Sequence, residues 1–540
     1  MQERVEWWKQ AVVYQIYPRS FYDSNGDGVG DLRGILQKLD YLGDDTENSL
    51  GIDAIWLNPV YPSPQYDFGY EIMDHRNIDP QYGTLADFDL LVREAHQRGI
   101  RIIMDFVPSI TSHLHPWFIE SRSDKSNPKR DWYFWKPALK PGKYPNNWLG
   151  VFGGRAWTWD SKTQEYYYHD SLPEQPDLNW RNPEVEKAML ANMAFWYERG
   201  VDGFRIDVLN YVFKDELFRS NPHCLGRRPY DMQRHLYDKD QPEAVEVGKK
   251  MRALAEQYGG KMLVAEIYID DPEEAARYLG EGDGVHMAFN FSFMFSPFSA
   301  ARFKQEVTDW ERAVGTRGWP AYFLSNHDNP RHISRYARGR WTLPRARVAA
   351  AMLLTLRGTP FLYMGEEIGM RNVRIPRGEL LDPVGRKYWP FHPGRDGART
   401  PMQWNGGRHA GFSSVKPWLR VHPEFERVNV EVEREDRDSL LAFYKRLIRI
   451  RRNSPALQTG DYQVCPDTPA GVFAYVRTAE DRSVLVALNF TQGWKRFALK
   501  VHGASSGRKL LAYPETSGDA TYLHNIELPP YGVLLSALDQ

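Results

Sequence analysis

The chain has 540 residues, enough to bury a large core and too many for one ordinary domain. Its 69 Lys and Arg against 70 Asp and Glu leave a formal net charge of -1, which removes the electrostatic attraction that a nucleic-acid or anionic-membrane partner would require. Aromatic residues make up 14%, with 18 Trp and 30 Tyr, flat faces that stack on sugar rings although most such rings serve the core.

The first residues, MQERVEWWKQ, lack a basic segment followed by an apolar run. No later stretch approaches the roughly 18 apolar residues of a membrane span, so the expectation is a cytoplasmic protein with no membrane partner. Cys224 and Cys465 lie too far apart in sequence to form a disulfide framework and suit a reducing compartment. Strand-like runs then recur with helical segments between them: AVVYQIY, DAIWLNP, RIIMDFV, GFRIDV, MLVAEIY, AYFLSNH and TPFLYMG. This alternation predicts parallel βαβ units. GTLADFDLLVREAHQRG, residues 83–99, is a clear helix between two of them, opened by a Thr cap and closed at Gly99.

Between about residues 108 and 175 the alternation lapses into a stretch rich in Pro, Gly, Trp and Tyr, too long for a structureless loop, which predicts a small inserted domain. A second excursion, about 371–425, contains GRDGARTPMQW and is placed over the mouth after the eighth strand. The helix SLLAFYKRLIRIRRNSPAL follows, and then short β runs such as GVFAYVR and SVLVALNF predict a terminal β-sandwich. The expected architecture is an α/β (β/α)8 TIM barrel from 1–107 and 176–460, an inserted domain at 108–175 and a C-terminal antiparallel β-sandwich at 461–540. GDDTENS, residues 43–49, reads as a polar surface insertion.

Three acids stand where apolar runs of strand length end in a polar turn: Asp207 in GVDGFRIDV, Glu266 in KMLVAEIY and Asp328 in YFLSNHDNPR. That is the pattern of barrel strands presenting side chains to a common mouth at their carboxyl ends. Three carboxylates in one mouth, with Arg205 and His327 beside them, suit glycosidic bond cleavage, which needs a nucleophile, a proton donor and stabilisation of a sugar cation. Arg205 lies on the same strand face as Asp207 because side chains alternate with period two.

These three segments, with DFGY at 67–70, QPDLN at 175–179 and GTPFLYMGEEIGM at 358–370, resemble the characteristic regions of the α-amylase superfamily, glycoside hydrolase family 13. Within it the chain is most similar to the exo-acting branch of α-glucosidases and oligo-1,6-glucosidases, and the resemblance runs over nearly the whole chain. It implies a retaining exo-α-glucosidase acting on short oligosaccharides or glucosides, as a monomer or small homo-oligomer. Asp207 would be the nucleophile held by Arg205, Glu266 the acid and base, and Asp328 with His327 the stabilisers of the sugar cation. Asp67 and Arg399 would clasp the terminal 4-hydroxyl and Tyr70 would stack under that ring; Phe152 and Phe289 are candidate walls, and either equally suits the core.

The chain departs from the family at Ile110, which stands in DFVPSITSH where a His is usual. A branched hydrocarbon cannot donate to the 6-hydroxyl of a bound glucose. Three readings follow: reduced activity on ordinary glucosides, compensation by His113 or His115, or a pocket for a sugar with a modified or absent 6-hydroxyl. Val208 resembles the small apolar residue of members that cleave α-1,6 bonds, and Val is also a good barrel residue.

DSNGDGVGD offers Asp23, Asn25, Asp27, the Val29 carbonyl and Asp31 at alternating positions. This looks like the start of an EF-hand loop without its twelfth-position Glu, and a Gly-rich turn with solvated acids has the same composition. The family resemblance implies a structural Ca2+ or Mg2+ there. Sucrose- or trehalose-converting transglycosylation and a catalytically silent scaffold are the competing functions; the scaffold relatives carry a membrane segment and lose active-site acids.

Overall fold

The computed structural model describes residues 6–43, 46 and 48–539. Eight parallel strands form the central sheet: β1 (Val13–Ile16), β2 (Ala54–Leu57), β3 (Arg101–Phe106), β4 (Gly203–Ile206), β5 (Met262–Ala265), β6 (Met287–Ala288), β7 (Ala321–Phe323) and β8 (Thr359–Tyr363). Neighbours pair in order from β1 to β6, while β8 pairs with both β7 and β1. A parallel bridge between Phe289 and Ala321 closes the circle, giving the expected (β/α)8 barrel. The sequence shows only seven runs because β6 is two residues long, too short for any periodic signal.

Period-two alternation fills the barrel and wraps it at once. Val13, Ala54, Trp56, Ile103, Val264, Phe289 and Phe361 point inward, whereas Tyr14, Ile55, Ile102, Phe204 and Leu263 face the surrounding helices. Phe289 is therefore barrel core, not a pocket wall. A Cβ on Gly203 would stand 2.6 Å from the Met262 carbonyl oxygen, so β4 packs against β5 only without a side chain there. The register of β3 and β4 sets Asp105 beside Arg205. Helix Leu85–Gln97 is capped by Thr84 in a reciprocal pair with Asp87 and buries Phe88, Leu91, Val92 and Ala95, one helical stripe.

Between β3 and helix Pro183–Glu198 the chain builds a three-stranded antiparallel sheet, ordered Trp135–Lys136, Glu165–Tyr168, Trp157–Asp160. Phe134, Trp148, Trp157, Tyr166 and Tyr168 form its core, so much of the aromatic content of this stretch is structural. Residues beyond 460 form a six-stranded antiparallel sheet and a two-stranded ribbon, Lys495–Phe497 with Ile526–Leu528. In strand Val472–Ala479, Phe473 and Tyr475 pack toward the barrel and Val472, Ala474 and Val476 toward the ribbon. The second layer of the terminal β-sandwich is thus small.

Residues 44, 45 and 47 of the expected surface insertion lie outside the described residues. Cys224 is an exposed free thiol and Cys465 a buried one. Among the described residues no helix is long and apolar enough to cross a membrane.

Candidate active site at the mouth of the barrel

Asp207 stands one residue beyond β4 and Glu266 one beyond β5, so both carboxyls emerge at the same rim. The chain turns sharply after Asp207. Val208 takes φ 30° and ψ 55°, a left-handed conformation that costs a β-branched residue about 1–3 kcal/mol, and the Leu209 N–H then donates to the Glu266 carbonyl at 3.2 Å. Arg205, 1% exposed, pairs through Nη1 with Asp207 at 2.6 Å and Asp105 at 2.7 Å, and through Nη2 with Glu266. One guanidinium orients three carboxyls.

Three acids around one cation do not all ionise together. Burial pushes the Glu266 carboxyl well above its usual range, and Asp207 and Asp328 repel its charge further. Burial also raises Asp207, opposed by Arg205 and by a hydrogen bond with Glu266. That bond raises Glu266 and lowers Asp207, so the proton rests on Glu266. Asp105, deeper in the barrel, is pushed up to about 7 by burial against the pull of Arg205.

Asp328 behaves oppositely. Burial opposes its charge, but the permanent cations around it, Arg395, Arg399 and Arg205, outweigh burial and hold the carboxyl well below the usual range. Arg399 Nη2 lies 2.6 Å and Arg395 Nη1 3.3 Å from its Oδ1. His327 is kept neutral by burial. Its ring stacks on Tyr70 with centroids 5.5 Å apart, and its Nε2 lies 2.7 Å from the Tyr70 Oη.

Several expectations need correction. Arg399 does not reach Asp67: it is fully buried on Asp328 and on the His327 carbonyl, to which its Nε donates at 2.8 Å. Asp67 pairs instead with Arg395 at 2.6 Å, which also holds Asp382 at 2.7 Å and lies 4.7 Å over the Phe152 ring. Both arginines belong to GRDGARTPMQW, and a loop carries no periodic signal to say which of the two faces inward. His327 is likewise fully buried, in contact with Tyr70 and with Asp328, whose Oδ2 lies 3.1 Å from its Nε2. His113 and His115 do not line the cavity: His113 sits against the Tyr66 ring, and His115 caps helix Pro116–Ser121.

A cavity of about 500 Å3 opens above this floor. Of the expected residues, Asp67, Tyr70, Ile110, Asp207, Val208, Glu266 and Asp328 line it. Phe152, weighed as a wall, does so too, as do Asp170, Gln175, Tyr211 and Arg395, which sequence reasoning missed. Phe152, Asp170 and Gln175 come from the segment after β3, whereas Arg395 comes from the excursion after β8. Gln175 donates to Asp67 Oδ2 at 3.3 Å, and its place beside the QPDLN acid was the one signal available for it.

The 23–31 loop lies apart from these residues. Asp23 accepts from Asn25 N, Gly26 N, Gly28 N and Ser413 Oγ, which fills its lone pairs. Asp27 accepts from Val29 N, Asn25 accepts through Oδ1 from Asp27 N, and Asp31 caps a helix through Gly34 N while also binding Ser24. Among the described residues no three His, Cys, Asp or Glu side chains converge in a metal-binding group.

A parallel barrel carrying two hydrogen-bonded carboxyls and a third, ionised one at the carboxyl ends of its strands defines a glycoside-cleaving class of protein. Residues 15–460 match the family model described as alpha amylase, catalytic domain. An oligo-1,6-glucosidase of Parageobacillus thermoglucosidasius is 40% identical, over 98% of this chain and 98% of that protein. A probable alpha-glucosidase of Rhizobium meliloti (strain 1021) is 39% identical, over 99% and 97% respectively. Among solved structures, the alpha-glucosyl transfer enzyme XgtA superposes with a TM-score of 0.92 at 39% identity, covering 99% of this chain and all of that one. The trehalulose synthase MutB from Pseudomonas mesoacidophila MX-45 does so with 0.90 at 34%, with the same coverage. The chain belongs to the α-amylase family, glycoside hydrolase family 13.

Proposed function

We propose that the protein is a retaining, exo-acting α-glucosidase that removes terminal α-linked glucose from short oligosaccharides or glucosides. The observation that carries this reading is that one guanidinium, that of Arg205, ion-pairs with both Asp207 and Glu266 and so sets the two carboxyls side by side. Retention requires carboxyls about 5–5.5 Å apart, whereas inversion needs room for a water between them. Asp207 attacks the anomeric carbon while Glu266 gives its proton to the departing oxygen, forming a glycosyl ester. Glu266, now ionised, takes a proton from water, whose oxygen displaces Asp207 and restores the starting state. Asp328, ionised throughout, stabilises the cationic sugar of both transition states.

Exo action is supported by the Asp67–Arg395 clasp, with Arg395 bridging to Asp328 and stacking on Phe152 at one side of the cavity. Tyr70 would stack beneath that ring. Ile110, on the cavity wall, removes a donor and alters the reading of carbon 6; Val208 favours α-1,6 linkages. The relationship to XgtA and MutB favours glucosyl transfer as a second outcome when an acceptor outcompetes water. We further propose a cytoplasmic location, and a structural Ca2+ or Mg2+ at Asp23, Asn25, Asp27, Val29 and Asp31. The oxygen-only donor set at alternating positions supports the ion, and binding requires Asp23 to release some of its present partners. A chelator should then lower Tm more than it lowers activity at ambient temperature.

The test of the main reading is NMR of freshly hydrolysed maltose, isomaltose and aryl α-glucosides. Release of α-glucose first is expected. Release of β-glucose, or no hydrolysis, overturns it.

A further inference from the structure

The mouth holds a second group of charged side chains that hydrolysis as set out above does not use. Asp170, Asp177, Asp238 and Lys214 are all more than nine-tenths buried, with His235 beside them. Two of the three acids have a cation of their own: Asp177 Oδ1 is 2.9 Å from Lys214 Nζ, and Asp238 Oδ2 is 2.7 Å from His235 Nδ1. Asp170 has none. Its side chain receives one hydrogen bond, from the Tyr168 hydroxyl to Oδ1 at 3.1 Å, and Oδ2 has no partner among the described residues. Asp170 nevertheless lines the catalytic cavity, and burial pushes its carboxyl up to about 7.

Asp170 shares a wall with Ile110. The Ile110 backbone is bridged to Asp177, and Asp177 Oδ2 accepts from the Asp170 N–H at 2.7 Å. The wall thus pairs a hydrocarbon, which neither donates nor accepts, with a carboxyl that, once ionised, only accepts. A ligand that leaves nothing unpaired there brings a donor, and a cationic donor also supplies the direct ion pair that Asp170 does not make.

We propose that Asp170 is a specificity-determining residue that accepts a hydrogen bond from the sugar at the Ile110 wall, so that the site prefers a hydroxyl there to hydrogen, and a protonated amine to either. The inference rests on the α-glucosidase reading and gives it a substrate class, glycosides with a donor at carbon 6. Sugars with a carboxylate or phosphate at that carbon are repelled by the same group.

Matched p-nitrophenyl α-glucosides with hydroxyl, amino or hydrogen at carbon 6 test this in the wild type, Asp170→Asn and Asp170→Leu. The wild-type kcat/KM should fall in the order amine, hydroxyl, hydrogen, and the amine-to-hydrogen ratio should drop about tenfold or more in both variants. The ratio is internal to each preparation, so a general loss of folded enzyme does not move it. Inhibition of the wild type by 6-amino-6-deoxyglucose, glucose and 6-deoxyglucose should follow the same order without any substitution. An unchanged ratio in both variants, or an amine no tighter than 6-deoxyglucose, overturns the assignment. A wild type that cleaves no α-glucoside overturns the underlying reading and this one with it, and the wild-type rates tell that outcome from the first.

Discussion

The two ends of the barrel both bury arginines, and they use them differently. At the carboxyl ends of the strands, Arg205, Arg395 and Arg399 face carboxylates in crowded sets: Arg205 serves Asp105, Asp207 and Glu266, and Arg395 serves Asp67, Asp328 and Asp382. At the opposite end, just before β8, Arg451 donates to the carbonyls of Leu354 and Gly358, and Arg477 to those of Thr355, Leu457 and Gly460. These two meet backbone dipoles. Burial pulls them down to about 10 and about 9, still charged at neutral pH. The contrast separates chemistry from cohesion. Acids competing for a cation have their protonation set by position, which catalysis needs, whereas a cation among carbonyls ties the terminal sheet to the barrel and has no proton to move.

Substitutions at the two ends should therefore fail in different ways. The largest effect is expected at Asp207. Asp207→Asn keeps the shape but cannot form the glycosyl ester, so kcat should fall by several orders of magnitude, about 10⁴-fold or more, with Tm nearly unchanged. Near-normal hydrolysis by well-folded mutant protein would falsify the nucleophile assignment. At the other end, Arg477→Met leaves several buried carbonyls unpaired, each worth about 1–3 kcal/mol. Thermal unfolding should move down by several degrees, while kcat/KM measured well below the transition stays the same. If it instead lost activity without losing stability, the separation of the two ends would be wrong.

Protonation offers an intermediate test. Activity needs Glu266 protonated and Asp207 ionised. Raising pH removes the Glu266 proton, and because burial raises that group, the alkaline limb should lie well above the ordinary Glu value of about 4.3. Lowering pH protonates Asp207, also raised, so the acid limb should lie above about 3.9. The two limbs belong to the pair, since the groups share a hydrogen bond. Glu266→Gln should abolish the alkaline limb for substrates whose leaving group needs no proton. The Arg477→Met variant should keep the wild-type profile.

The smallest effect is expected on the Ile110 wall. Ile110→His restores a donor where the family usually has one, and should raise kcat/KM for ordinary α-glucosides relative to 6-deoxy analogues by about 1–3 kcal/mol. An unchanged ratio would mean that position 110 does not read carbon 6.

Strand ends carried most of what the sequence revealed of this site. Asp207, Glu266 and Asp328 each follow an apolar run whose length and composition dictate a buried strand, so their meeting at one rim is written in the sequence. The residues that escaped notice sit on loops. Arg395 is four residues before Arg399, which the sequence did single out, and only the path of the chain after β8 decides that Arg395 rather than Arg399 meets Asp67. Asp170 lies in an aromatic-rich stretch whose period-two pattern covers a few residues, and nothing local marks it as the acid without a cation. The DSNGDGVGD loop shows the converse limit: a spacing that suits an ion also suits a turn whose acids bind its own N–H groups.

The most direct test of the central claim, that Asp207 forms a glycosyl ester while Glu266 moves the proton, is to trap the ester. A fluorinated α-glucosyl fluoride slows the second step, and the labelled protein is then digested and weighed by mass spectrometry. One added sugar per chain is expected, on the peptide carrying Asp207, and none in Asp207→Asn. A label on another peptide, or rapid turnover with no covalent sugar under conditions where hydrolysis inverts the anomeric centre, would contradict it.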